Sequence, residues 1–418
     1  MHSFTYRQQH LHCEDIPVRT AAERFGTPLY LYSAETLRDH YRKLHAAFRD
    51  FDPLICYSVK ANSNLAILNL LVREGAGLDI VSGGELFRAK KAGCPAEKIV
   101  YASVGKTEEE IRDALEYRIH MFNVESIPEL RRINEIAGEA GKRAPAALRF
   151  NPDIQPDTHA YITTGKKETK FGMDIETVRH TLLNQGEFPH VDFRGIHVHI
   201  GSQITDALPF QRTLQKVLEL TEHVQSKGIA LSALNIGGGL GIVYENEQPQ
   251  TADDFAQAVA PVLRKINLPL ILEPGRFIAG NAGILLTKVL YVKDTPAKRF
   301  LVVDAGMNDM LRPSLYRAYH EILPVEQKKS EPCQPPRPAD VVGPICESGD
   351  FLGKNRTLTV NEGDLMAVFG AGAYGFSMSS NYNSRRRPAE ALVHEGKISL
   401  IRKRESEDDL IRHEQMVP

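Results

Sequence analysis

Eight short apolar runs, each followed by a longer amphipathic stretch, recur through the first two thirds of this chain, and few architectures accommodate that rhythm. The runs are PLICYSVK (53–60), GLDIVS (77–82), KIVYAS (98–103), HMFNVES (120–126), AALRFNP (146–152), FRGIHVHIG (193–201), ALNIGGG (233–239) and LPLILEPGR (268–276). Between them lie segments of helical character such as ETLRDHYRKLHAAF, TEEEIRDALEY and FQRTLQKVLELTEHVQSKG. Several open on Ser, Thr or an acidic residue and close at Gly, as capped helices do. Eight strand–helix units over about 250 residues predict a (β/α)8 barrel. After about Ile284 the pattern changes to short β-like segments (ILLTKVLYVK, RFLVVDAG, RTLTV, DLMAVF, EALVHEGKISLI) separated by Gly, Pro and Asn. These predict a second, all-β domain of sandwich or barrel-like type. The expected division is residues 31–283 for the barrel, with 1–30 and 284–418 for the β domain, and KKSEPCQPPRPAD (328–340) as a Pro-rich solvated connection.

Charge and cysteine usage narrow the class. The 418 residues carry 51 Lys and Arg against 53 Asp and Glu, a formal net charge of −2, so no overall field draws the chain to nucleic acid or an anionic membrane. Its five cysteines (Cys13, Cys56, Cys94, Cys333, Cys346) are odd in number, widely spaced and without a CxxC pair. That usage fits a reducing compartment rather than a disulfide framework. The N-terminal MHSFTYRQQHLHCED has neither the basic nor the apolar region of a secretory signal. No apolar run approaches the ~20 residues of a membrane helix. A soluble, cytoplasmic protein is expected.

In a barrel of this type the chemistry gathers at the C-terminal ends of the strands. There stand Lys60, Asp79, Arg149, His199, the glycines 237–239 and Glu273. A lysine closing an apolar strand often only snorkels; desolvated at a barrel mouth, it can instead form a Schiff base. His197 and His199 of GIHVHIGSQ alternate onto one strand face. Metal is not expected, because the other strand ends offer Lys, Arg and Glu rather than further ligands. His197 reads as a core histidine, whereas His199, nearer the strand end, can pack on a flat cofactor while Ser202 meets a phosphate. NIGGGLGI fails the dinucleotide GxGxxG spacing, although three glycines after a strand let backbone N–H groups approach an anion. Glu273 needs a cationic partner if buried. A protonated pyridine nitrogen would serve and would make the ring an electron sink; the plainer alternative is an ion pair with Arg276. Together these groups suit pyridoxal 5′-phosphate (PLP).

At the level of motifs the chain resembles the diaminopimelate decarboxylases, members of the alanine-racemase-like, fold-type III group of PLP enzymes. The resemblance lies in YSVKAN, GLDIVSGGEL, FNVES, LRFNPDI, THAYITTGKKETKFG, HVHIGSQ, GGGLGI, EPGR, DAGMNDMLRPSLY, GPICESGDFL and GAYGFSMSSNYNSR, in order from about residue 20 to 395. It implies that Lys60 carries the cofactor and that Asp79, Arg149, His199, Ser202, Gly238, Gly239, Glu273, Gly275, Arg276 and Tyr374 surround it. Arg276, Arg312, Tyr316, Glu347 and Tyr374 are implied to hold an amino-acid substrate, meso-2,6-diaminopimelate, for conversion to L-lysine and CO2. Cys346 is implied as the general acid, supplied with the rest of CESGD by the partner in a homodimer.

Other readings are an ornithine, arginine or carboxynorspermidine decarboxylase, a non-catalytic PLP-binding protein, or a racemase. The Arg312, Cys346 and Glu347 set counts against them. The carboxylates flanking Cys346 in GPICESGD favour a protonated thiol, which suits a proton donor better than a nucleophile. The Lys-rich GKKETKFG (165–172) reads as either a lid or a solvated loop.

Overall fold

The computed structural model describes residues 2–154, 170–327 and 337–418. The chain forms two compact units: Arg38–Val243 with Glu247–Phe277, and Met1–Leu37 with Tyr244–Asn246 and Ile278–Pro418.

In chain order, β1 (Phe4–Arg7), β2 (His10–Cys13) and β3 (Ile16–Pro17) make a small antiparallel sheet, and β4 (Leu29–Ser33) follows. The barrel strands come next: β5 (Leu54–Ser58), β6 (Gly77–Ile80), β7 (Ile99–Tyr101), β8 (Met121–Val124), β9 (Ala144–Arg149), β10 (Val191–His197), β11 (Ala233–Asn235) and β12 (Leu270–Leu272). Every expected apolar run contributes one. All are parallel, each pairs with the next in sequence, and β12 closes onto β5 through Ile271 opposite Leu54 and Leu272 opposite Ile55. Parallel strands are covered on both faces, which is why they read as nearly continuous apolar runs.

The surrounding helices begin and end where their termini demand it. Thr107 with Glu110, and Thr251 with Asp254, close reciprocal capping boxes, while Ser82 and Ser126 cap two further helices. Each side chain meets a backbone N–H that the helix cannot satisfy itself. Gly75 (φ +104°) and Gly93 (φ +79°) then take the left-handed conformation just past two helix ends, where a side chain would be strained.

Inside the barrel, strand alternation makes layers. Cys56, Val100, Met121, Ala147, Ala233 and Ile271 pack together as a buried apolar layer. Two residues further along five of those strands, on the same face, stand Ser58, Asn123, Arg149, Asn235 and Glu273, all buried. Asp79 on β6 and His197 on β10 are buried as well. A hydrophobic plug thus carries a polar layer on its C-terminal side.

The other unit is built on β4, β13 (Gly283–Asp294), β14 (Arg299–Val303), β15 (Ile322–Pro324), β16 (Ala339–Val342), β17 (Phe351–Arg356), β18 (Leu365–Val368), β19 (Ala389–His394) and β20 (Lys397–Arg402). They join in one mixed sheet with the path β17-β16-β14-β13-β4-β19-β20, and β18 also pairs with β13 and β15. Leu29, Leu31, Ile284, Leu286, Ala367, Ala391 and Val393 form its core with Phe4, Leu11 and Val18 from the N-terminal segment. Among the described residues no helix is long and apolar enough to cross a membrane.

Candidate active site

In a buried polar layer each orphaned group costs about 1–3 kcal/mol. At Glu273 both carboxylate oxygens are partnered. Its Oε1 accepts from Asn123 Nδ2 at 2.8 Å and from Asn235 Nδ2 at 2.6 Å, and its Oε2 lies 3.2 Å from His197 Nε2. The Gly237 N–H donates to Asn235 Oδ1 at 2.9 Å, which fixes the way round of that amide. Burial pushes the Glu273 carboxyl up, but His197, Lys60 and Asn235 outweigh it and hold it well below the usual carboxylate range. Glu273 is therefore an anion with its protein partners inside the barrel. Arg276 instead directs Nε and Nη2 to Ser202 Oγ, at 3.3 and 3.1 Å, so the plain Glu273–Arg276 pair considered from sequence gives way to this arrangement.

Lys60 follows β5, and its Nζ lies 2.8 Å from Asp79 Oδ2. Ser58 Oγ donates to the same oxygen at 2.7 Å. The lysine side chain is 39 % exposed and Asp79 is fully buried, so the amine at the barrel mouth is held by an ion pair with a buried carboxylate. Burial, then the nearby Glu273, push the Asp79 carboxyl up, while Lys60 and Ser58 oppose them.

His199 accepts the Gly238 N–H on Nδ1 at 3.1 Å, which puts its proton on Nε2. Desolvation, then Arg149 and Lys60, push this imidazole well below its ordinary value, so it is neutral at physiological pH. A neutral ring can stack on a flat aromatic group that itself carries positive charge without like-charge repulsion. Arg149 is paired with Glu125, Nη1 to Oε1 at 2.5 Å, with its guanidinium over the Phe171 ring at 4.9 Å. Glu125 Oε2 also accepts the Gly172 N–H at 2.9 Å.

The glycines let strand ends pack backbone to backbone. A Cβ on Gly238 would lie 2.1 Å from Glu273 O, and one on Gly239 (φ +122°) would lie 2.7 Å from Gly201 O. The loops after β10, β11 and β12 converge through these contacts, with Ser202, Gly275 and Arg276 alongside.

The remaining expected residues lie in the β unit. Arg312 opens the short helix Arg312–Tyr316 and is buried. Its Nε–H donates to His320 Nε2 at 3.2 Å, and its guanidinium lies 5.0 Å from the Tyr244 ring and 5.9 Å from that of Tyr316. Tyr374 is half-buried with φ +56°. Cys346 is exposed, and its backbone N–H donates to Asn383 Oδ1 at 2.7 Å. Glu347, also exposed, accepts from Tyr382 OH at 3.4 Å. Asp350 spends its carboxylate on the loop itself, accepting from Met307 N at 2.6 Å and Ile345 N at 2.7 Å. It builds the CESGD turn. Residues 165–169 of the Lys-rich loop, and residues 328–336 with Cys333, lie outside the described residues.

Ser58, Asn123, His197, Asn235, Glu125 and His320 were not picked out as site residues. The signal for three of them was present: Ser58, Asn123 and Asn235 each stand two residues past an apolar layer residue, as Glu273 does.

Residues 34–280 match the family model described as "Pyridoxal-dependent decarboxylase, pyridoxal binding domain", so the barrel is that of a PLP-dependent decarboxylase. The chain is 50% identical over 408 residues to the diaminopimelate decarboxylase of Aquifex aeolicus, covering 97% of this chain and 96% of that one. The chain belongs to the diaminopimelate decarboxylase family. Two solved structures are similar throughout. Diaminopimelate decarboxylase of Helicobacter pylori complexed with L-lysine has a TM-score of 0.90 at 42% identity, covering 94% of this chain and 98% of that one. The enzyme of M. jannaschii in co-complex with L-lysine has a TM-score of 0.93 at 40% identity, covering 100% and 98%.

The barrel residues fit PLP. An ionised carboxylate suits a ring N–H, a neutral imidazole suits the ring face, a lysine suits the aldehyde carbon, and Gly-rich backbone with Ser202 and Arg276 suits a phosphate.

Proposed function

We propose that this chain decarboxylates meso-2,6-diaminopimelate to L-lysine and CO2, the last step of lysine biosynthesis, with PLP carried on Lys60. The observation that carries the reading is Glu273, buried yet held anionic by three protein donors at the mouth of a barrel that also presents Lys60. When bound, PLP supplies a positively charged ring that draws in the electron pair left as CO2 departs. The chain's own groups do the rest. Glu273 holds the ring nitrogen's proton in place, His199 covers one ring face, and Gly238, Gly239, Gly275, Ser202, Arg276 and Tyr374 hold the phosphate. Asp79 keeps the Lys60 amine in position, and Arg149 braces the strand end beside it.

Diaminopimelate carries an amino-acid head at each end. Arg276 grips the carboxylate nearer the reaction, while Arg312 and Tyr316 take the far carboxylate and Glu347 the far ammonium. Cys346 donates the proton that replaces CO2 on the α-carbon, with no fixed charge left beside the ring. Two such chains form a homodimer in which the CESGD turn of one serves the barrel of the other, in the cytoplasm. Purified protein supplied with PLP should release CO2 from meso-diaminopimelate in preference to L-lysine, L-ornithine or L-arginine. No release from meso-diaminopimelate would overturn the reading.

A further inference from the structure

The polar layer of the barrel contains one titratable group to which the reaction as described gives no task. His197 has the sequence context of an ordinary core histidine, yet its Nε2 lies 3.2 Å from Glu273 Oε2, and its buried Nδ1 has no hydrogen-bond partner. It sits on β10 opposite Asn235 of β11, so two neighbours in register both address the same carboxylate.

A carboxylate has room for about four hydrogen bonds, two on each oxygen. On Glu273, Oε1 is filled by the amides of Asn123 and Asn235, and Oε2 receives His197. One acceptor position remains on Oε2. An anionic carboxylate cannot donate, so the proton between the two residues belongs to His197 Nε2. With nothing on Nδ1 to set the tautomer from behind, Glu273 itself sets it. We propose that His197 is a positioning residue: its N–H fixes the rotamer of Glu273, keeps the carboxylate anionic, and leaves the last Oε2 site for the ring nitrogen of the cofactor. This rests on the reading in which Glu273 meets that nitrogen. The other charged or titratable groups acting on this pair are Lys60 and Asp79 from β5 and β6, Cys56 in the apolar layer, and Arg149 and His199 from the β9 and β10 strand ends. Among them the carboxylate of Asp79 opposes a second anion, while Cys56, pushed up by burial and by Glu273, stays a neutral thiol, so a direct donor to Oε2 matters more here than it would alone.

The test compares holoenzymes of His197→Leu, His197→Gln, Glu273→Gln and the His197→Leu/Glu273→Gln double variant. The readouts are the visible absorbance of bound PLP against pH, kcat, and KM. His197→Leu should retain PLP, shift the pH midpoint of its absorbance by about one unit or more, and lower kcat about 10- to 100-fold. KM should move less than about twofold, because the far end of the substrate is untouched. His197→Gln, which keeps an N–H at this position, should recover most of the loss. In the Glu273→Gln background the leucine should add less than about twofold, since it acts through Glu273. A wild-type spectrum and kcat in His197→Leu beside a crippled Glu273→Gln would overturn this proposal alone, and so would full additivity in the double variant. A wild-type spectrum and kcat in Glu273→Gln would overturn the reading of Glu273 and this proposal with it. Should His197→Leu fail to fold, His197→Met, which also lacks a donor, takes its place in every comparison.

Discussion

Lys60 Nζ and Asp79 Oδ2 stand 2.8 Å apart, with the aspartate fully buried and the lysine only partly so. The exposed partner of such a pair is mobile and the buried one is not, so Asp79 acts as a fixed post that aims the amine. Ser58, donating to the same oxygen, holds the post. Asp79→Asn keeps the shape but removes the charge. It should slow the capture of added PLP by the apoenzyme about tenfold, followed as the rise in visible absorbance after mixing. Ser58→Ala should have a smaller effect in the same direction. An unchanged rate in Asp79→Asn would show that Lys60 needs no such aim.

Arg312 is held from behind in the same manner. His320 Nδ1–H donates to Phe369 O at 2.8 Å, which leaves Nε2 as the acceptor for the Arg312 Nε–H. The outward edge of the guanidinium is thereby set by an imidazole tautomer that the backbone dictates. If Arg312 grips the substrate as proposed, His320→Ala should raise KM for meso-diaminopimelate about tenfold with kcat changed much less. Equal falls in kcat and kcat/KM would place Arg312 in the reacting centre instead.

The legibility of these features in the sequence depended on how local their causes were. The eight barrel strands were readable because a strand covered on both faces shows as an apolar run. Lys60, His199 and Glu273 were readable because strand ends are where a barrel keeps its chemistry. What holds them was less visible. Asn123 and Asn235 are residue types that usually mark turns, and only the two-residue step from Met121 and Ala233 betrays them as inward-facing. His197 looked like core for want of a visible partner, and its partner lies 76 positions away. Glu125 reaches Arg149 from the end of the neighbouring strand. Such pairings are made by the closing of the barrel, and no local pattern encodes them.

In the CESGD turn, Cys346 and Glu347 are adjacent but are assigned separate tasks. Cys346→Ala should lower kcat by about 10²- to 10⁴-fold, the range expected for loss of a general acid, with KM little changed. Glu347→Ala should mainly raise KM for meso-diaminopimelate and narrow its advantage over monocarboxylate substrates such as L-ornithine. Steady-state kinetics on both substrates separates the two outcomes. Wild-type kinetics in both variants would remove the turn from the mechanism.

A shared site makes a further demand on the pair Lys60 and Cys346. If one subunit supplies the lysine and its partner the cysteine, mixing inactive Lys60→Ala and Cys346→Ala proteins creates hybrid dimers with one intact site. After verified subunit exchange, recovery should approach about a quarter of wild-type activity, from random pairing in a two-fold dimer. No recovery would place both residues in one chain's own site.

The β unit holds a carboxyl group whose titration should be felt in stability. Asp309 is 2 % exposed, with Oδ2 accepting the Gly306 N–H at 2.9 Å and Oδ1 accepting from Asn308 Nδ2 at 3.0 Å. Burial pushes its carboxyl up to about 7, against the pull of the Gly306 N–H and of Arg385. An unfolded aspartate releases its proton near pH ~3.9. Between those two values the folded chain binds the extra proton, so this group's contribution to stability is greatest below pH ~4 and declines as pH rises toward 7. Above 7 the decline is complete, with a buried charge held in the folded state. Asp309→Asn cannot ionise and lacks that slope. Relative to wild type, the variant should therefore gain about 2–3 kcal/mol between pH 5 and pH 8, whatever its absolute stability, as read from urea unfolding at both values. A difference that stays constant across that window would show that Asp309 is already ionised in the folded protein at pH 5.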